Sequence, residues 1–197
     1  MSEVKVDKIS PRSGTTFTLG DSGDTFDVPS GATLDVTGAT VTGLSAGKVL
    51  QVVSSHKSDT ASTNSSTFVT TGIEVSITPS ATSSKIFISA SPCISGVSPN
   101  GFGVCLLRDT TEINLGDADS SLTRYGVVGR EVVQYNVDVM AMTYLDSPSS
   151  TSSITYKVAF RNSSGSDYVY LNRPYSRVDL SSYGTASSTI TVMEIEG

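Results

Sequence analysis

From Lys48 onward the chain alternates apolar and polar residues with a period of two, in runs separated by Ser, Thr, Gly and Pro clusters. That is the pattern of half-buried β-strands. Strands are predicted at Val49–Ser54, Ser66–Thr78, Lys85–Ser91, Phe102–Arg108, Thr111–Leu115, Glu131–Leu145, Ile154–Asn162, Tyr168–Leu171 and Thr189–Glu196. Several have well-separated faces. Ile73, Val75 and Ile77 share one; Ile86 and Ile88 oppose Phe87; Val133, Tyr135, Val137 and Val139 oppose Gln134, Asn136 and Asp138. No segment sustains a 3.6-residue apolar period, so very little helix is expected. Eight or nine antiparallel strands over residues 48–197 predict a two-sheet sandwich, for which a jelly roll is the commonest arrangement. The last strand reads as lying inside a sheet, so its removal should unfold the domain rather than trim a tail.

The first 47 residues follow another rule. Four copies of a Gly-x-Thr-apolar-polar-apolar unit occur as GTTFTL (14–19), GDTFDV (23–28), GATLDV (31–36) and GATVTG (38–43). Each reads as a short strand ended by a Gly-containing turn, with Phe17 and Leu19, Phe26 and Val28, Leu34 and Val36, and Val41 on the apolar face. Two apolar side chains per unit cannot offset the entropy of ordering its backbone unless something covers them. Identical copies wrapped about a common axis would share that face. Three-fold symmetry suits a slim β-shaft, with these apolar residues as its core, although spacing alone leaves two-fold open. The plainer alternative is a β-meander packed on the following domain. The expected organisation is therefore all-β, with an attachment and shaft region at 1–47 and a sandwich knob at 48–197.

Composition narrows the class. Hydrophobic residues make up 37% and charged residues only 16% of the 197, unlike a disordered tail, which carries more charge. The net charge of −6 supplies no basic stripe for nucleic acid, and the acidic residues stand singly, as solubilising charges do. No stretch is apolar enough to span a bilayer, and MSEVKVDKIS lacks a signal-peptide core, so synthesis in a cytosol without Sec export is expected. Cys93 and Cys105 flank an expected hairpin turn at 95–101. A disulfide is possible in one register, but two buried free thiols are the favoured reading.

Catalytic chemistry finds few candidates. The single histidine, His56, lies in a Ser-rich stretch and reads as a solvated loop residue; a two-histidine metal site is impossible. No nucleophile-elbow, dinucleotide or P-loop spacing occurs. Asp117 and Asp119 resemble part of a calcium loop without its further ligands and read as a solvated loop. No catalytic residue, metal or cofactor is therefore expected. Binding has two candidate surfaces. Tyr168, Tyr170, Arg173 and Tyr175 could stack on sugars, or Tyr168 and Tyr170 could be ordinary strand residues packing between sheets or subunits. Arg124, Tyr125 and Arg130 fall close together in a polar, Gly-containing stretch that suits a receptor-facing loop or a subunit contact. Asn64 and Asn162 match the N-glycosylation pattern, which carries no weight without secretion.

The opening run VKVDKISPRSGTTFTLGDSGDTFDVPSGATLDVTGATVTGLSAGKVLQVV is similar to segments of virion structural proteins and tail fibres of tailed phages, especially those of marine bacteria and cyanobacteria. The closing STITVMEIEG resembles the terminal strand of such fibres. The resemblance covers the first fifty or so residues well and the remainder in texture only. It implies a homotrimer in the virion, attached by its N-terminal region to other virion proteins. A β-shaft would follow, then a jelly-roll knob reminiscent of tumour-necrosis-factor and complement C1q heads. The expected function is binding of a host-surface glycan without catalysis. A purely architectural role, as a head decoration, head fibre or tail–fibre adaptor, is the alternative, and a polysaccharide depolymerase is the third. No nucleic-acid partner and no membrane insertion are expected.

Overall fold

The computed structural model describes residues 14, 16, 25, 27–37, 48–96, 101–129, 135–176, 180–181 and 183–197. The chain divides into two units, Met1–Leu44 and Ser45–Gly197.

In the first unit a turn closes from the Ala32 N–H to the Pro29 carbonyl at 3.0 Å. Its third residue, Gly31, sits at φ 89°, which a side chain would resist. Residues 32–36, expected as a strand, do not form one, and pair with none of the described residues. Their apolar side chains are uncovered: Leu34 is 62% and Val36 44% exposed, and Val28 is exposed too. Phe17, Leu19, Phe26 and Val41 lie outside the described residues.

The second unit is all-β, with no helix among the described residues. Its strands are β1 (Val49–Lys57), β2 (Ala61–Thr63), β3 (Val69–Ile77), β4 (Lys85–Ser91), β5 (Cys93–Gly96), β6 (Phe102–Arg108) and β7 (Thr111–Ile113). Then follow β8 (Val127–Gly129), β9 (Asp138–Val139), β10 (Met142–Asp146), β11 (Ile154–Asn162), β12 (Val169–Leu171) and β13 (Ser188–Ile195). All pairings are antiparallel.

Two layers face each other. The first is a sheet in the order β1-β13-β4-β10, continued past a seam by a sheet in the order β2-β12-β5-β9. Pro92 lies at this seam between β4 and β5, where it has no N–H to give a ladder. Its carbonyl accepts the Met140 N–H at 2.9 Å. Asn172 fills the break. It is buried at φ 61°, and its side-chain amide donates to the carbonyls of Lys57 and Asp59 at 2.9 Å each. Its Oδ1 accepts from Ser188 Oγ at 2.6 Å, which in turn accepts the Cys93 N–H. The second layer has the order β3-β11-β6-β7, with β8 also on β6. A register shift opposite Val158 places Gly72 at φ 81°, a bulge that only glycine fits without strain.

The core lies between the layers. Ile73, Val75 and Ile77 of β3 meet Ile86 and Ile88 of β4, Val104 and Leu106 of β6, Val158 and Phe160 of β11, and Ile190 and Val192 of β13. Period-two alternation supplies these residues, as the sequence predicts. β4, β6 and β11 span the predicted residues, and β13 lies between β1 and β4.

Other expectations are corrected. β1 runs on to Lys57, so His56 is an exposed strand residue rather than a loop residue. The long strand predicted over Glu131–Leu145 resolves, in its described part, into β9 and β10, because Met140 and Ala141 cross the seam. No hairpin joins β5 to β6. β5 pairs with β12 and β9 in the first layer, β6 with β11, β7 and β8 in the second. Cys93 and Cys105 are accordingly both buried free thiols.

Candidate functional site

Arg161 anchors the candidate site from β11, the second strand of the second layer, where alternation turns Tyr156, Val158 and Phe160 to the core and Ala159 and Arg161 outward. The outer face of this layer carries its own small apolar cluster of Cys105, Leu107 and Ala159, with Phe68 and Leu115 packed against it. The connection between β7 and β8 folds over that face. It is tied down by the Gly126 N–H to the Val104 carbonyl at 2.9 Å, the Gly116 N–H to the Tyr125 carbonyl at 3.1 Å, and Arg124 Nε to the Gly116 carbonyl.

Tyr125 lies across the sheet because its neighbour beneath is Gly103, the register partner of Arg161. A Cβ at Gly103 would collide with the Tyr125 ring and come within 2.7 Å of the Val127 carbonyl oxygen. The Tyr125 hydroxyl shares a 2.7 Å hydrogen bond with Ser163, and its ring meets Phe68 edge-on at 5.9 Å. The Arg161 guanidinium stands 5.7 Å from both ring centres, a distance at which the ring quadrupole attracts a cation. Beside it opens a cavity of about 310 Å³, lined in part by Phe68, Glu112, Leu115, Leu122, Arg124 and Arg161.

The structure thus keeps Arg124 and Tyr125 together, as expected, and adds Phe68 and Arg161. Arg130 lies outside the described residues. Phe68 and Arg161 are far apart in sequence from Tyr125, and only the β3–β11–β6 register brings them to one place. The outward phase of Arg161 in the Ile154–Asn162 alternation was the one available signal.

The tyrosine cluster forms on the outer face of the first layer, beyond the seam. Tyr168 and Tyr170 stack with centroids 6.0 Å apart, and Tyr175 meets Tyr170 edge-on at 5.7 Å. The Arg173 guanidinium sits 3.6 Å from the Tyr170 centroid and donates to the carbonyl of Pro174 at 3.0 Å. Ser95 Oγ donates to the Arg173 carbonyl at 2.7 Å, fastening this segment to the sheet. All four predicted residues therefore meet, but the cation is already committed to Tyr170 and the main chain. A further stack, Tyr135 on Tyr183 with centroids 4.6 Å apart, was not foreseen as a site; its members stand far apart in sequence.

Among the described residues, buried charge elsewhere is engaged. Asp146 accepts two hydrogen bonds from Arg108, at 2.9 and 3.1 Å, and one from the Tyr156 hydroxyl at 2.7 Å. Burial, reinforced by the Asp146 charge, pushes the Tyr156 phenol far above its ordinary value. Asp117 and Asp119 are exposed. Among the described residues, no group of three or more His, Cys, Asp or Glu stands close enough to hold a metal ion, and no helix is long and apolar enough to cross a membrane. The geometry places aromatic rings and guanidinium groups together on the outer faces of both layers. Compared with known proteins, the sequence matches no family model and no curated protein.

Proposed function

We propose that this chain is a homotrimeric fibre or appendage protein of a tailed-phage virion, whose knob binds a host-surface glycan without hydrolysing it. The observation that carries self-association is an apolar row on the outer face of the first layer. Val52 pairs with Met193, Met193 with Phe87, and Phe87 with Leu145, so one row of side chains crosses all four strands. Val52 is 55% and Leu145 50% exposed, and Leu50 beside them is exposed too. A continuous apolar row on a hydrogen-bonded sheet is the kind of surface that proteins cover with another copy. The uncovered Leu34 and Val36 of the N-terminal repeat call for the same remedy. Three-fold symmetry, the phage virion and the glycan come from the resemblance of the repeat.

Strand order supports a jelly roll for the knob. The chain pairs its outermost strands first and works inward: β1 with β13, β3 with β11, β4 with β10, β6 with β7. A long antiparallel ribbon rolled over itself produces that nesting, with successive pairs falling in opposite layers. Light scattering on the full chain tests the assembly. A mass of three times 20.5 kDa is expected, and a monomer at micromolar concentration would overturn the reading. A glycan array probed with the assembled protein then separates host binding from a purely architectural part. New reducing ends on incubation with host polysaccharide would point to a depolymerase instead.

A further inference from the structure

We infer that the cavity on the outer face of the second layer binds a single carboxylated sugar residue, with Arg161 and Arg124 holding its carboxylate. Among the described residues Arg161 makes no hydrogen bond or ion pair, and its Nε is buried without a partner. Arg161 lines the cavity beside a second guanidinium, and with no protein acceptor among the described residues its terminal amino groups are left for an acceptor from outside. Its orientation is fixed in advance by the Phe68 and Tyr125 rings, and a guanidinium held in place offers paired donors matched to a carboxylate.

The rest of the wall narrows the ligand. Glu112 lines the same cavity and can accept only from donors, which the hydroxyls of a sugar supply. Its charge offsets one of the two guanidiniums, and the remaining single positive charge matches a monocarboxylate better than a phosphate dianion or a dense polyanion. Phe68, Leu115 and Leu122 add apolar surface for the C–H face of a pyranose ring; Leu122, 67% exposed, stands at the rim. A volume of about 310 Å³ is at the small end for ligand pockets and suits one ring rather than an oligomer. The Tyr168–Tyr175 cluster is a weaker candidate, since its single arginine lies 3.6 Å from the Tyr170 centroid and bonds two main-chain carbonyls, whereas Arg161 bonds none among the described residues. The inference rests on the proposed glycan-binding role for the source of its ligand, but not for the chemistry of the pocket.

The test is titration of the full-length protein with methyl β-glucuronide and with N-acetylneuraminic acid, followed by ligand-detected NMR. Methyl β-glucoside and inorganic sulfate serve as the neutral and non-sugar controls. Saturation transfer to the acidic sugars is expected, weakened at least tenfold by Arg161→Gln and several-fold by Arg124→Gln. The Arg124 variant, exposed at the rim, keeps the test decisive if Arg161→Gln folds poorly. Equal binding of glucoside and glucuronide, acidic-sugar binding indifferent to both variants, or no acidic-sugar binding would overturn the inference. Array binding of neutral glycans alone would sink this pocket while leaving the host-binding role intact. Arginine-dependent glucuronide binding without any array signal would do the reverse.

Discussion

Glu194 stands on the inward face of β13, in phase with the core residues Ile190 and Val192. Burial pushes its carboxyl up, but hydrogen bonds win. Ser80 gives its N–H at 2.7 Å and its hydroxyl at 2.6 Å, Gln51 its amide at 2.6 Å, and Ser84 its hydroxyl at 2.7 Å. Together they hold the group down from 4.5 to about 2. A lowered folded-state value means the stabilisation is complete above pH 4.5 and fades as pH falls towards 2. Glu194→Gln, which cannot satisfy all those donors, should cost about 1–3 kcal/mol at pH 7. Urea melts should show that gap narrowing between pH 4.5 and 2; a gap independent of pH would contradict the account. The thiols give a second residue-scale prediction. Burial and the nearby Glu112 charge push Cys105 up to about 12, and burial raises Cys93. Because the thiolate is the reactive form, native protein at pH 8 should resist a disulfide reagent and should release both thiols only in denaturant.

Among the elements, the long strands were legible, with β4, β6 and β11 matching their predicted spans; alternation fixed the face of β3 but not its ends, since it runs Val69–Ile77 rather than Ser66–Thr78. β2, β5 and β8 were not legible. They are short and are defined by what they pair with rather than by pattern. The Cys93–Gly96 segment reads as one arm of a hairpin, yet it prolongs β4 past Pro92 within the first layer, while β6 lies in the second. The same limit applies to the candidate site. Tyr125 and Arg124 are neighbours in sequence, whereas Phe68 and Arg161 arrive through register, which no local pattern encodes. Elements from opposite layers are also clamped together by Arg108 of β6, Asp146 of β10 and Tyr156 of β11. Tyr156→Phe removes a hydrogen bond to a charged group and should cost about 1.5–3 kcal/mol. Asp146→Ala strands a partly buried guanidinium as well and should cost more, about 3–5 kcal/mol. Denaturant midpoints measure both; a cost for Asp146→Ala no greater than for Tyr156→Phe would remove the clamp's charge from the account.

At the scale of the whole second unit, its two layers have unlike outer faces. The second layer is covered by its own β7–β8 connection, whereas the first presents the Val52–Met193–Phe87–Leu145 row uncovered. Both ends of that row are half exposed, so charging them should alter the folded monomer little, within about 0.5 kcal/mol for each surface change. In an assembly the same side chains are buried. Each apolar side chain buried is worth about 1.5–3 kcal/mol, and an unpaired carboxylate placed there adds a desolvation cost. Val52→Glu combined with Leu145→Glu should therefore turn an oligomer into a monomer at micromolar concentration. Light scattering would record the change in mass, with the far-ultraviolet dichroism unchanged. Val128→Glu is the matched control, since Val128 is 62% exposed on β8 of the other layer and should leave the mass unaltered. An oligomer that survives the double substitution would move the contact away from this face, towards the repeat that carries Leu34 and Val36.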